Sequence, residues 1–433
     1  MRSDSLMKIL RNVSWLAFDR VLRVVIGVFI GAWLARYLGP DRYGAFSYAI
    51  AFFLLFTPIA NLGMTSIVVR ELVREPTEGE ATVKAAFLLH LIGSVFSAAL
   101  ATAIIVFVRD DQDIVISVVA IISISSILNC SAVIKYWYEA QVRSHIVVWL
   151  DTATLFVRSM MTVYLIATEA TLINFAFLFL LESLMSFILL LSVYRVLERK
   201  KLFGLPDYRK IWTIARNSFP LMLSSAAILV YMRVDQIMLG ELLNDSAVGV
   251  YSVAVKISEI SYVVPMIVVA SIFPNILQLK NYDNALYKIR IQNLLSLIFV
   301  LTMSFGLLTT IFGSLIVSIL FGPAYSQAGY ILMIHIWSCV FVGLGVVGNS
   351  WYLAENLEKI ILTRVLAGTV VNIILNFLLI PKYGGIGAAY ATLISQAISA
   401  YLMDLASKST WFIFIAKTKA LLISPLIIAR MWS

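Results

Sequence analysis

Apolar residues in this chain come in long unbroken runs, not in the spaced stripes that a soluble helix turns toward a core. Crossing about 30 Å of hydrocarbon takes roughly 20 such residues. About twelve runs of that length occur, near 16–38, 44–66, 83–108, 113–134, 146–167, 171–194, 214–240, 247–272, 290–313, 327–350, 360–380 and 384–404. The pattern predicts an all-α integral membrane protein of about twelve transmembrane helices. Two further apolar stretches are 312–321, too short to span alone, and 411–431, cut by Lys417, Lys419 and Pro425. Both read as interfacial or re-entrant helices, with a thirteenth span as the alternative.

Composition agrees, with 61% hydrophobic and only 13% charged residues against roughly 25% charged in soluble domains. The formal charge of +9 would point to nucleic acid in a soluble protein, but its placement along the loops does not. With the N-terminus inside, the connection 195–216 alone holds Arg195, Arg199, Lys200, Lys201, Arg209, Lys210 and Arg216. The opposite side has little beyond Arg36, Arg42, Arg109 and Lys382. This bias puts both termini and the central linker in the cytoplasm. No cleavage pattern follows the N-terminal basic residues, so the first helix reads as an uncleaved insertion signal. The expected location is a membrane, crossed many times.

The chain also repeats itself. WYEAQ at Trp137 returns as WYLAE at Trp351, 214 residues on, and GAFSYA at Gly44 returns as GVYSVA at Gly249, 205 residues on. Two matches at nearly one offset imply two pseudo-symmetric six-helix lobes, the arrangement that lets one half of a transporter rock against the other. We divide the chain into an N-terminal lobe at 1–195, a basic linker at 196–212, a C-terminal lobe at 213–406 and a cytoplasmic or interfacial tail at 407–433. No loop is large enough for a soluble catalytic domain, so an enzyme is not expected.

Charges inside apolar spans are costly and face the protein interior or a water-filled cavity. At 1.5 Å per residue, Arg158 and Glu182 lie about 18 and 17 Å from the cytoplasmic ends of the fifth and sixth spans, close enough in depth to pair. The repeat sets Arg158 opposite Asn372 and Glu182 opposite Gln396. In the second half, Arg233 and Lys256 lie about 10 and 13 Å below the outer ends of adjacent spans, near Asp235 and Glu259. Lys256 and Glu259 share a helix face and can pair; Arg233 and Asp235 point different ways. Asp19 and Arg23 share a face at the inner end of the first span, beside Arg20. Asn372 and Asn376 put two amides on one face of the eleventh span. Each set has a structural reading, as ion pairs, snorkelling arginines and interhelical amides, and a functional one, as an anion route of Arg23, Arg158, Arg233 and Lys256 with polar contacts from Asn372, Asn376 and Gln396. On the second reading Asp19, Glu182, Asp235 and Glu259 balance the cations or couple an ion.

Cys130 and Cys339 have no disulfide or metal spacing, and His90 and His335 stand without clustered ligands. No metal or cofactor is expected.

Three segments carry a family resemblance: LGPDRYGAFSYAIAFFLLFTPIANLGM, DQIMLGELLNDSAVGVYSVAVKI and NIILNFLLIPKYGGIGAAYAT. In this order and at these helix junctions, the chain resembles the O-antigen (Wzx-type) flippases of the multidrug/oligosaccharidyl-lipid/polysaccharide exporter superfamily. The resemblance implies two lobes around a V-shaped central cavity, and alternating-access transfer of an undecaprenyl-diphosphate-linked oligosaccharide from inner to outer leaflet. It further implies exchange against H+ or Na+, and polysaccharide polymerase or assembly proteins as partners. A peptidoglycan lipid precursor flippase and a multidrug antiporter of the same superfamily remain open; the drug exporter would favour acids and aromatics over the cations found here. A membrane glycosyltransferase would need a carboxylate site on a substantial loop, and a scaffold has no reason to bury charges at matched depth.

Overall fold

The computed structural model describes the backbone of residues 2–431 apart from 111, 200, 201, 203, 205 and 206, and side chains at 15 and over 21–422 outside those same positions. The described residues form helices α1 (Arg2–Leu54), α2 (Thr57–Asn61), α3 (Thr65–Arg74), α4 (Gly79–Val108), α5 (Asp113–Leu128), α6 (Val133–Ala140), α7 (Ser144–Ala167) and α8 (Leu172–Leu197). They continue with α9 (Tyr208–Leu242), α10 (Asp245–Leu279), α11 (Asn284–Phe321), α12 (Ser326–His335), α13 (Ser338–Ala354), α14 (Glu358–Ala400) and α15 (Trp411–Met431).

Among the described residues nine helical runs are long and apolar enough to cross a membrane, and the pair Pro323–His335 and Ser338–Ala354, bent by 44°, makes a tenth. Two of the nine are double. α1 breaks at Gly39 (φ 72°) and α14 at Gly384 (φ 58°), positive-φ conformations that glycine adopts without a Cβ penalty. Counting both halves of each recovers twelve apolar segments. Large apolar side chains such as Phe29, Trp33, Phe96, Phe107, Ile311 and Phe377 stand exposed along them, a surface that only lipid covers without cost. The chain is a multi-pass, all-α membrane protein.

The structure corrects the expected elements in several places. The stretch 312–321 is no separate re-entrant piece: it forms the end of the 38-residue α11, which runs on through Gly306 and Gly313 and stops at Gly322 (φ 87°). The second span is split by turns into the end of α1, α2 and α3. The tenth span bends where Ser338 Oγ bonds the His335 carbonyl at 2.6 Å, an alternative to the helical ladder.

The chain packs into two compact units, Met1–Leu38 with Ala45–Arg233, and Gly39–Gly44 with Val234–Ser433. In the first, Trp137 and Tyr138 of the repeated aromatic motif are core residues with Met64, Val68 and Tyr194, and Trp137 meets Tyr194 edge-on at 6.0 Å. The linker joins this core through the buried Leu202, and the start of α9 through Ile214. In the second, Trp351 and Tyr352 take the same part, and α15 closes the core with Ile413, Ala416 and Ala420, Phe412 lying 5.7 Å from Trp351. The first part of the segment expected as a tail thus packs into that unit, over residues 412–421. The repeated glycines also meet within it: a Cβ on Gly44 would run into the Asp245 carbonyl oxygen, and one on Gly249 into that of Pro40.

Candidate functional site

In the first unit α1, α5, α6, α7 and α8 surround a cavity of about 250 Å³ lined by Arg23, Lys135, Asp151, Arg158 and Glu182, with Ser125, Asn129, Thr154, Ser183 and Ser186 among its polar walls. The pair expected from depth alone is formed. Arg158 Nη1 donates to Glu182 Oε2 at 2.7 Å, and the guanidinium lies 4.3 Å over the Phe179 ring. Beside it Asp151 is shared by two cations. Lys135 Nζ reaches its two oxygens at 2.8 and 2.9 Å, and Arg23 Nη2 lies 3.4 Å from Oδ2. Three cations and two carboxylates line one space. Lys135 and Asp151 were missed as site residues because both lie near the ends of their spans, where charge is ordinary. Asp19, named as the partner of Arg23, lies outside the residues whose side chains are described.

The second unit holds a network of another kind. Asp235, 4% exposed, accepts hydrogen bonds from the Tyr251 hydroxyl, from Thr392 Oγ1 at 3.3 Å and from the Gln236 amide at 2.9 Å. Ser395 Oγ donates to the Thr392 carbonyl at 3.0 Å and accepts from Asn372 Nδ2 at 3.3 Å, and Asn376 Nδ2 donates to Asn372 Oδ1 at 3.0 Å. Both asparagines are fully buried, and Asn372 bridges the two halves of α14 through Ser395. Among the described residues Asn376 Oδ1 is buried with no donor. Lys256, Glu259 and Gln396 of this unit are half-buried, as is Arg233, the last residue of the first unit.

A third charged cluster escaped the sequence reading. Lys417 of α15, wholly buried, donates to Asp404 Oδ2 and to the Ala400 carbonyl, each at 2.7 Å. Asp404, also wholly buried, accepts from the Tyr352 hydroxyl and lies 3.6 Å from Arg364 Nε, which donates to the Ser399 carbonyl at 2.6 Å. Gly348 makes room for the lysine: a Cβ there would lie 2.8 Å from its Nζ. The residue that seemed to disqualify 411–431 as an apolar helix is thus its anchor.

Outside the spans, Lys210 at the start of α9 is held by Glu75 at 2.8 Å and by Glu78, and its ammonium keeps the Glu75 carboxyl below the ordinary carboxylate range. Cys130 and Cys339 are buried free thiols. No cluster of metal ligands occurs among the described residues.

A family model described as polysaccharide biosynthesis protein matches residues 9–280. The capsular polysaccharide biosynthesis protein CapF of Staphylococcus aureus is 23% identical over 410 residues, 90% of this chain and 96% of its own. The probable low-salt glycan biosynthesis flippase Agl15 of Haloferax volcanii is 27% identical over 200 residues, 46% of this chain and 42% of its own. The chain thus spans less than half the length of that relative. Among solved structures the lipid II flippase MurJ, in an inward closed conformation, superposes with a TM-score of 0.75 at 15% identity over 95% of this chain and 92% of its own. At that identity the likeness is one of fold.

Proposed function

The chain belongs to the polysaccharide biosynthesis protein family, and from that premise we propose that it is a flippase carrying an undecaprenyl-diphosphate-linked oligosaccharide from the inner to the outer leaflet of a bacterial cytoplasmic membrane. The observation that carries this reading is the charged cavity of the first unit. A diphosphate moved through a low-dielectric interior needs fixed positive charge at close range, and Arg23, Lys135 and Arg158 present three cations around one space. Arginine suits the fork geometry of phosphate oxygens. At about 250 Å³ the cavity falls below the roughly 300–1,000 Å³ of drug-sized sites. It suits a compact charged group, with the sugars and the prenyl tail lying elsewhere.

The two units divide the work. At the 214-residue offset Lys135, Arg158 and Glu182 correspond to Asn349, Asn372 and Gln396, and Arg23 and Asp151 to Ile237 and Val365, so three of the five charged cavity positions of the first unit are amides in the second and two are apolar. Oxygen ligands suit a hard cation such as Na+, and a buried carboxylate suits a proton. The Asp235 network, with Tyr251, Thr392 and the spare oxygen of Asn376, is accordingly the coupling site for H+ or Na+ in this proposal. Polymerase and assembly proteins that take over the delivered glycan are the expected partners.

The test is reconstitution. Purified protein in proteoliposomes, given labelled undecaprenyl-diphosphate oligosaccharide, should move it between leaflets faster under an imposed proton or sodium gradient. A peptidoglycan lipid precursor carries the same diphosphate, so its failure to compete identifies a surface-glycan cargo. Export of cationic dyes with no movement of either lipid would make the chain a drug exporter.

A further inference from the structure

We infer that Glu182 and Asp151 are displaceable counter-ions, holding the three cations of the first unit's cavity while the diphosphate is absent and yielding them when it arrives. The inference rests on the head-group reading above and deepens it, bringing Lys135 and Asp151 into the same device. Each carboxylate already sits where a phosphate oxygen would: Glu182 Oε2 on Arg158 at 2.7 Å, Asp151 between Lys135 at 2.8 Å and Arg23 at 3.4 Å. The pairs are half-open, with side-chain exposures of 34% and 23% for Arg158 and Glu182, and 31% and 17% for Lys135 and Asp151.

Partly exposed ion pairs add little net stability, so parting them is cheap. The wholly buried Lys417–Asp404 pair of the second unit has no such freedom, because breaking it strands a charge without water. A diphosphate offers more charge and more acceptor oxygens than either carboxylate and can take their places, while Ser186, four residues beyond Glu182 on the same helix face and on the cavity wall, can receive its released carboxylate. The internal competitors lower affinity for the head group. A carrier must let go of its cargo, and binding that is favourable enough to enter yet weak enough to leave is the general requirement for passage.

The experiment measures binding of inorganic pyrophosphate and of farnesyl diphosphate to the purified full-length protein by titration calorimetry, in wild type, Glu182→Gln and Asp151→Asn. Both variants should bind pyrophosphate roughly tenfold more tightly, the size of one charge-assisted hydrogen bond, and should flip labelled lipid-linked oligosaccharide more slowly because release is retarded. A merely structural role would weaken binding and flipping together. The two substitutions lie on different helices, so one remains informative if the other folds poorly. Binding unchanged or weakened in the variants, with wild-type binding intact, overturns the displacement idea and leaves the head-group site standing. Failure of wild type to bind either probe overturns the head-group reading itself. Farnesyl diphosphate binding that tracks pyrophosphate supports a lipid source, and pyrophosphate binding alone contradicts it.

Discussion

Charge counting in the Arg364–Asp404–Lys417 cluster predicts that two substitutions at one ion pair have opposite consequences. Among the described residues Asp404 is the single carboxylate between two cations, with exposures of 0% for Asp404 and Lys417 and 4% for Arg364. Asp404→Asn leaves both cations buried without a counter-ion, and removing one partner of a buried pair costs about 3–5 kcal/mol. Lys417→Met keeps Arg364 and Asp404 as a balanced pair, preserves the Tyr352 hydrogen bond and fills a similar volume. It should change stability by less than about 1.5 kcal/mol in either direction. Each kcal/mol moves Tm by about 2–4 °C in a unit of this size, so Asp404→Asn should melt roughly 6–20 °C below wild type and Lys417→Met within a few degrees of it. The assay is thermal unfolding of purified protein in detergent, followed by tryptophan fluorescence, since Trp351 packs against Tyr352 and Phe412. In the double variant the cost of Asp404→Asn should fall, because one stranded cation has gone. Equal losses from the two single changes, or a larger loss from Lys417→Met, would refute the reasoning.

Three further outcomes follow from the same geometry. Gly249→Ala puts a methyl group into the Pro40 carbonyl and should cut the yield of folded protein severely, whereas Gly27→Ala, with nothing within 4 Å, should be neutral; size-exclusion profiles of the two compare them directly. The Glu75–Lys210 tie has a depressed carboxyl, so it is fully present above the ordinary value of 4.5 and is lost as pH falls below it. Amide exchange near Tyr208 should accelerate at pH 3 relative to pH 7 beyond the intrinsic pH effect, and Glu75→Gln should shrink that difference. Asp235→Asn should uncouple transport, leaving residual flipping that no longer responds to a proton or sodium gradient in proteoliposomes.

How far the sequence revealed this site depended on where each charge lay. Arg158 and Glu182 stood deep inside apolar runs at nearly equal depth, and counting 1.5 Å per residue was enough to pair them at what proved to be 2.7 Å. Lys135 and Asp151 complete the same cavity yet lie near span ends, where a charge normally marks the interface, so their joining across α6 and α7 left no signal. The Asp235 network was half legible: the carboxylate stood out, while Tyr251 and Thr392 are hydroxyls of ordinary appearance, 16 and 157 residues away. Lys417 misled, because a lysine in an apolar run reads as a stop until a buried aspartate 13 residues earlier is placed against it. The repeat was the most informative pattern. It marked the aromatic pairs that became the two cores, and its glycines proved to be points where backbones touch, a role that only spacing betrayed.

The central claim is that the cations of the first unit carry the diphosphate through the protein, and translocation by Arg158→Gln tests it most directly. In proteoliposomes matched for reconstituted protein, wild type should move labelled undecaprenyl-diphosphate oligosaccharide under an ion gradient. Arg158→Gln should fall by about 10- to 100-fold, the loss of one or two charge-assisted contacts. Transport by Arg158→Gln at the wild-type rate would contradict the account.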